Sequence, residues 1–301
     1  MTHAYTPGLR IAEKTKVTSQ RVLPLLGDVI VKKGDVLKAE YVVARTHLPG
    51  KVHAINAVNR LGIQPKDLRE YMLKKEGDAV QKDEIIAETK PWVKMLKTAL
   101  LSPITGTIET ISTVTGQILL REPPKPIQVF AYIDGTVIEI MEKEGVVMET
   151  TATFIQSIFG VGGETVGELV IAVNKPGDVL TAERIQPTYK DKIIVGGAFV
   201  QHDVINKAKK VGVRGIITGG LDDEDLKKLL GYDLGVAITG SEDIGITLII
   251  TEGFGKIQMA QRTFELLKSR TGAKTSINGA TQIRAGVVRP EIIIPHDTSG
   301  K

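Results

Sequence analysis

The chain has 301 residues, 42% hydrophobic and 25% charged, a balance that excludes a disordered polyelectrolyte or a collagen-like design and leaves room for two domains or three small ones. Its net charge of +4, from 39 basic and 35 acidic residues, comes without a long basic block, and aromatic residues make up only 4%, so neither a nucleic-acid surface nor a base-stacking platform is expected. With no cysteine, disulfides, thiolate metal sites and cysteine nucleophiles are excluded.

No apolar run reaches the roughly 18 residues of a spanning helix, and Met1 to Arg10 lacks the apolar stretch of a signal peptide. A cytoplasmic protein with no membrane association is expected. Residues 1–22 carry His3, Arg10, Lys14, Lys16 and Arg21 against the single acid Glu13, with little apolar periodicity. They read as an N-terminal arm that packs on a neighbouring subunit. From Leu23 to about Tyr189, short runs of valine and isoleucine alternate with Gly-Asp, Pro-Gly and Lys-Glu-Gly turns, the spacing of an all-β sandwich or barrel over 23–190. Within it, Gln64-Pro65-Lys66-Asp67-Leu68 opens a short helical insert near 64–73.

An internal repeat is the strongest signal. Gly34-Asp35-Val36-Leu37 recurs as Gly77-Asp78-Ala79-Val80 and again as Gly177-Asp178-Val179-Leu180, each running on into an apolar stretch. The glycine can take positive φ, the aspartate can bond the backbone beside it, and the next residues enter a strand. A second repeat combines Gly50, Val52 and Ile55; Gly106, Ile108 and Ile111; and Gly135, Val137 and Ile140. The odd spacing between its two apolar positions keeps them off one strand face unless a bulge or bend intervenes, so curved strands are expected.

Two of these segments, Lys75-Glu76-Gly77-Asp78-Ala79-Val80 running into Ile85-Ile86-Ala87-Glu88, and Ser102-Pro103-Ile104-Thr105-Gly106-Thr107-Ile108, resemble the paired turns of the biotinyl/lipoyl-type barrel-sandwich hybrid, seen in acyl-carrier domains and membrane-fusion adaptor proteins. The resemblance implies a lipoyl-like region, doubled by the related copy from Leu23 to Ile55. In acylated members the modified lysine sits at a hairpin tip. Lys94 is the candidate carrier lysine, but counting back eight from Pro103 gives Met95, Val93 stands in place of the motif's first methionine, and Pro91-Trp92 lengthens the loop. The competing reading is an unmodified apolar loop that packs on a partner.

Phe159-Gly160-Val161-Gly162-Gly163-Glu164 is rich enough in glycine to suggest a phosphate loop, yet Glu168 to Val173 continues as a strand where a dinucleotide site would open a helix. A tight sheet turn is the expectation. Arg121-Glu122-Pro123-Pro124-Lys125-Pro126 reads as a stiff connector because proline lacks a ladder donor.

From 191 to 301 apolar strands alternate with helical patterns, which predicts an α/β domain with a mixed or partly parallel sheet. Strands are expected at Ile193–Gly196, Gly215–Thr218, Val236–Thr239, Thr247–Ile250 and Ile292–Ile294, and helices over Asp203–Val211, from Asp222 to Gly231, and over Ile257–Ser269. Ligands in open α/β sheets favour the carboxyl ends of the strands. Here those ends supply Gly219, Gly220, Ser241, Glu242, Asp243 and Glu252. The glycines would admit a ligand, and the acids could hold a metal or act as acid and base; ordinary turn chemistry uses the same residues. The polar run Thr275, Ser276, Asn278, Thr281, Gln282 and Arg284 could line the same crevice, with Arg284 and Arg289 as anion binders.

The histidines at 3, 47, 53, 202 and 296 show no metal-ligand spacing, and no nucleophile-elbow motif occurs. No metal, cofactor or catalytic set is expected. The leading functional expectation is a non-catalytic, self-assembling scaffold, a homo-oligomer built on the repeated sheet units. The alternatives are a ligand-binding protein or enzyme using an anion- or metal-binding crevice in the α/β part, with a small-molecule anion as ligand, and an acyl carrier at Lys94.

Overall fold

The structure, a computed structural model, describes residues 9–89, 97–231, 244–281 and 288–296. It is strand-rich, with one large mixed sheet and three smaller ones. The chain forms two compact units, and neither is contiguous. The larger combines Met1–Val22, Asp28–Ala44 and Val129–Lys301; the smaller combines Leu23–Gly27 and Arg45–Gln128.

In the smaller unit, an antiparallel sheet runs Val52–Asn56, Gln117–Arg121, Gly106–Ile111, Ala79–Val80, and a second pairs Ile85–Glu88 with Ala99–Leu101. Two short helices intervene, α1 (Ala57–Leu61) and α2 (Leu68–Tyr71), the latter entered through a 3-10 turn at Pro65–Asp67. The expected helical insert is therefore present, and it starts because Pro65 presets φ at a first-turn position where its missing N–H costs nothing. Leu68, Ile86, Leu100, Ile108, Ile118 and Leu120 fill the core, each contributing about 1.5 to 3 kcal/mol through burial.

The sheet of the larger unit runs Phe159–Val161, Thr247–Phe254, Gly215–Leu221, Lys192–Val195, Glu164–Ile171, Lys274–Asn278, Glu291–Pro295, Gly145–Gln156, Gly135–Met141 and Val36–Leu37. The run from Thr247–Phe254 to Glu164–Ile171 is parallel, and the other pairs along this order are antiparallel. Helices α3 (His202–Val211), α4 (Asp223–Leu230) and α5 (Gln261–Lys268) lie between its strands in sequence, and Ile205, Leu226 and Phe264 enter the same core as Leu169, Ile193 and Ile216. The expected strand Val236–Thr239 lies outside the described residues.

Two boundaries differ from the sequence reading. Ile11–Val22, read as part of an arm, is a strand that pairs antiparallel with Gly145–Gln156 from Ile11↔Ile155 to Val22↔Gly145. Its weak apolar alternation reflects its position: it is paired along one edge and only Val17 is fully covered. The change of pattern near residue 190 is no break in structure either, because Glu164–Ile171 pairs with Lys192–Val195 on one side and Lys274–Asn278 on the other. Local periodicity reports each strand's exposure and says nothing of which distant strand completes the sheet.

The first two Gly-Asp copies are structurally equivalent, one in each unit. Gly34 and Gly77 take φ of 94° and 92°, and Asp35 and Asp78 accept the Lys32 and Lys75 N–H at 2.8 and 2.9 Å. Gly34 N–H donates to Val137 O and Gly77 N–H to Ile108 O, while Val137 and Ile108 N–H return bonds to Asp35 and Asp78 O. The partner strands are two copies of the second repeat, and each bulges after Val137 or Ile108, as the odd apolar spacing predicts; the remaining copy does not, since Val52–Asn56 pairs with Gln117–Arg121 in unbroken register, with Val52 exposed and Ile55 buried. Their leading glycines leave no room for a side chain: a Cβ on Gly106 would lie 2.1 Å from Arg121 O, and on Gly135 2.4 Å from Glu149 O. The third copy keeps only the aspartate's bonds to the backbone before it, and Gly177 lacks the positive φ of Gly34 and Gly77. Asp178 caps Asn174 and Lys175 N–H, but Val179–Leu180 pairs parallel with Phe199–Val200, so Gly177-Asp178 is not a third corner of the same architecture.

Candidate functional site

The carboxyl ends of the parallel strands are filled by the chain itself. Gly219 and Gly220 are buried, and a Cβ on either would meet Ile257 O at 2.2 Å or Gly255 O at 1.9 Å. Their glycines therefore admit the segment 255–259 rather than a ligand. The Glu252 carboxylate accepts Ala260 N–H at 2.9 Å and Thr251 Oγ1–H at 3.1 Å, which ties the approach to α5. Arg289 is half-buried and makes no ion pair among the described residues. Ser241, Glu242, Asp243, Arg284 and Lys94 lie outside the described residues. The glycine-rich turn at 159–164 joins two strands of the sheet, Gly162 taking φ of 83° and Gly163 O accepting the Thr247 hydroxyl.

A different set of groups converges elsewhere in the larger unit. Alternation along Lys274–Asn278 puts Lys274, Ser276 and Asn278 on one sheet face, opposite Glu168, Val166 and Glu164 on one neighbour and with Ile293 and Glu291 facing Ser276 and Asn278 on the other. The segment Phe130–Gly135 crosses this face, tied down by Arg21 Nε to Phe130 O, Ser276 Oγ to Tyr132 O and Lys274 Nζ to Asp134 Oδ1.

At the Lys274 end lies a crevice of about 550 Å³, lined by Val36, Leu37, Lys38, Asp134, Gly135, Thr150, Arg270, Gly272, Ala273, Lys274, Pro295 and His296. Asp134 organises it. Its carboxylate accepts Ala39 N–H at 2.8 Å, Lys274 at 2.7 Å and Lys38 at 3.0 Å. Burial alone would push this carboxyl up, but the bonds from Lys274, Ala39 and Lys38 outweigh burial and hold it below the usual range. Lys274 mirrors it: burial opposes its charge, and the bonds to Asp134 and to Glu40 at 2.6 Å override that and raise it. His296 is pushed down, first by burial and then by the Arg270 charge. The Thr153 hydroxyl donates to Glu13 O at 2.7 Å and so accepts from His296 Nε2 at 3.0 Å, which places the imidazole proton on Nε2. Arg270 has no carboxylate partner among the described residues, and its buried Nε–H finds no acceptor.

The repeat sets this crevice beside a plainer equivalent turn. Asp134 Oδ1 accepts the Ala39 N–H, and at the equivalent place in the smaller unit Thr105 Oγ1 accepts the Lys82 N–H at 3.1 Å. The same backbone group is satisfied by a carboxylate in one copy and a neutral hydroxyl in the other, and only the carboxylate gathers lysines.

The other end of the crossing segment is closed. Arg21 forms a bidentate pair with Glu164 at 2.7 and 2.6 Å and lies 5.1 Å from the centre of the Tyr132 ring. Tyr132 holds φ of 69°, a conformation costly for a bulky residue. Burial first, and then the nearby Glu291 charge, push its phenol well up, and its buried hydroxyl has no hydrogen-bond partner among the described residues. Burial, and after it the nearby Glu164 charge, pushes Glu291 up to about 7.

Compared with known protein families, curated proteins and solved structures, the chain matches none. Among the described residues no group of three or more histidines or acids could hold a metal ion, and no helix is long and apolar enough to cross a membrane. The crevice offers a positive wall with one guanidinium that meets no carboxylate among the described residues, and the closed end holds a carboxyl pushed up to about 7. Sequence reasoning singled out the polar run beginning at Thr275 but missed Lys38, Asp134, Arg270, Lys274 and His296 as a set. The available signals were Lys38 inside the first repeat and Asp134 directly before the Gly135 repeat.

Proposed function

We propose that this chain is a binding protein for a small anion, held in the larger unit between Lys38, Arg270, Lys274 and His296. The observation that carries the reading is Arg270: every other cation lining the crevice meets a carboxylate, whereas this guanidinium has none among the described residues. An arginine lining a crevice of this size with no counter-ion among the described residues is a ready anion site. A thermal-shift panel of small carboxylates, phosphate and sulfate tests it. Anions should raise Tm in proportion to the logarithm of concentration, and Arg270→Gln should abolish the rise. An equal rise in the variant would remove the proposal.

A self-assembling scaffold is the second reading, and a separate observation favours it. Ile11–Val22 is a twelve-residue strand paired on one side only among the described residues, and long one-sided edges are templates for pairing with another chain. Lys14 and Lys16 on this strand temper that tendency. Light scattering after size exclusion separates the cases, since a monomer across a wide concentration range would end the scaffold reading. The matching turns at Gly34 and Gly77 support regarding the two units as carrying related lipoyl-like elements, with Lys94 as the carrier candidate; intact mass after co-expression with biotin and lipoate ligases tests that modification.

A further inference from the structure

The geometry points to a monocarboxylate with a short apolar chain as the ligand of the crevice, an inference that rests on the anion-binding reading above. Charge sets the first limit. Lys38 and Lys274 are balanced by Asp134 and Glu40, so Arg270 leaves one net positive charge, with His296 kept neutral by burial and by Arg270 itself.

Arg270 and Gly272 follow directly on the carboxyl-terminal end of α5, whose last turn closes at Ser269. That end carries about half a negative charge from the helix dipole. One added negative charge is thereby accommodated, while a second would face both the dipole and the Asp134 carboxylate. None of the described lining residues opens a helix, so among them there is no cradle of backbone N–H groups of the kind phosphate sites draw on. What the crevice does present is a planar guanidinium, whose fork matches a carboxylate.

Shape sets the second limit. Beside these cations the lining includes the apolar side chains of Val36, Leu37, Ala273 and Pro295. Val36 is 74% exposed, an apolar side chain left uncovered at the mouth of a charged site. A ligand consisting of a carboxylate alone would leave it so, and a chain of several carbons would cover it. The volume of about 550 Å³ accommodates such a chain.

Isothermal titration calorimetry of the full chain with acetate, hexanoate and inorganic phosphate at neutral pH tests this. Each fully covered methylene strengthens binding by roughly fourfold, and partial cover in an open crevice should make hexanoate about tenfold tighter than acetate, with phosphate weaker than hexanoate. Val36→Ser, a change at an exposed position, should narrow the gap between hexanoate and acetate, and Arg270→Gln should remove binding of both. Phosphate binding as tightly as hexanoate, or acetate equalling it, overturns the carboxylate inference and leaves anion binding standing. No heat from any of the three overturns both.

Discussion

Replacing Glu291 by glutamine isolates the closed end of the polar stripe, because glutamine keeps the shape and cannot titrate. Burial and the Glu164 charge raise the Glu291 carboxyl from its ordinary 4.5 to about 7. A carboxyl with a folded pKa above its unfolded value binds more protons in the folded chain between the two values. Its contribution to stability is therefore fully present below about pH 4.5 and is lost as pH rises to about 7. Each pH unit of that gap is worth about 1.4 kcal/mol, so the whole loss is about 3 kcal/mol. Glu291→Gln should have no such dependence. Urea denaturation of both proteins at a series of pH values reads the difference: the stability of the variant relative to the parent should climb by about 2 to 3 kcal/mol between about pH 4.5 and about pH 8, most steeply between 5 and 7. Parallel pH curves would refute the claim that burial and the Glu164 charge hold Glu291 protonated against the pull of Arg21. Because the difference is read as a change with pH, any fixed packing cost of the amide cancels.

The remaining predictions concern packing and the crevice. Gly135→Ala, whose Cβ would lie 2.4 Å from Glu149 O, should destabilise by about 3 kcal/mol or more in a urea titration, whereas Gly163→Ala, with no atom within 4 Å, should be nearly neutral. Asp134→Ala leaves Lys38 unpaired and Lys274 with Glu40 alone, and should cost about 1 to 3 kcal/mol; an unchanged midpoint would show the lysines are not organised by Asp134. Glu252→Ala removes the acceptor for Ala260 N–H and should cost about 1 kcal/mol of thermal stability, with anion affinity unaltered, as expected for a group serving α5 rather than a ligand.

The candidate crevice was illegible in the sequence for a definite reason. Lys274 and Asp134 are 140 residues apart, Lys38 and Asp134 are 96 apart, and no spacing rule links such positions. Residue types misled in the other direction at Gly219 and Gly220: glycine marks close approach by any backbone, and the approaching backbone here belongs to residues 255 and 257. Glu252 likewise carries the chemistry of a ligand or of a cap, and only the position of Ala260 decides between them.

What the sequence determined by itself was local. The Gly-Asp turns, the helical insert announced by Gln64-Pro65, the bulges implied by odd apolar spacing and the helices from His202, Asp223 and Gln261 depend on residues within a few positions of one another, where backbone sterics and capping act. Tertiary structure alone decided that Val36–Leu37 closes on Gly135–Thr136 across the interrupting smaller unit, and that Ile11–Val22 is a strand rather than an arm. Strand pairing is made by backbone groups every residue possesses, so partners are selected by the summed burial of a whole sheet, and side chains brought together by that selection, Asp134 with Lys274 or Arg21 with Glu164, carry no mark of it in their own neighbourhoods.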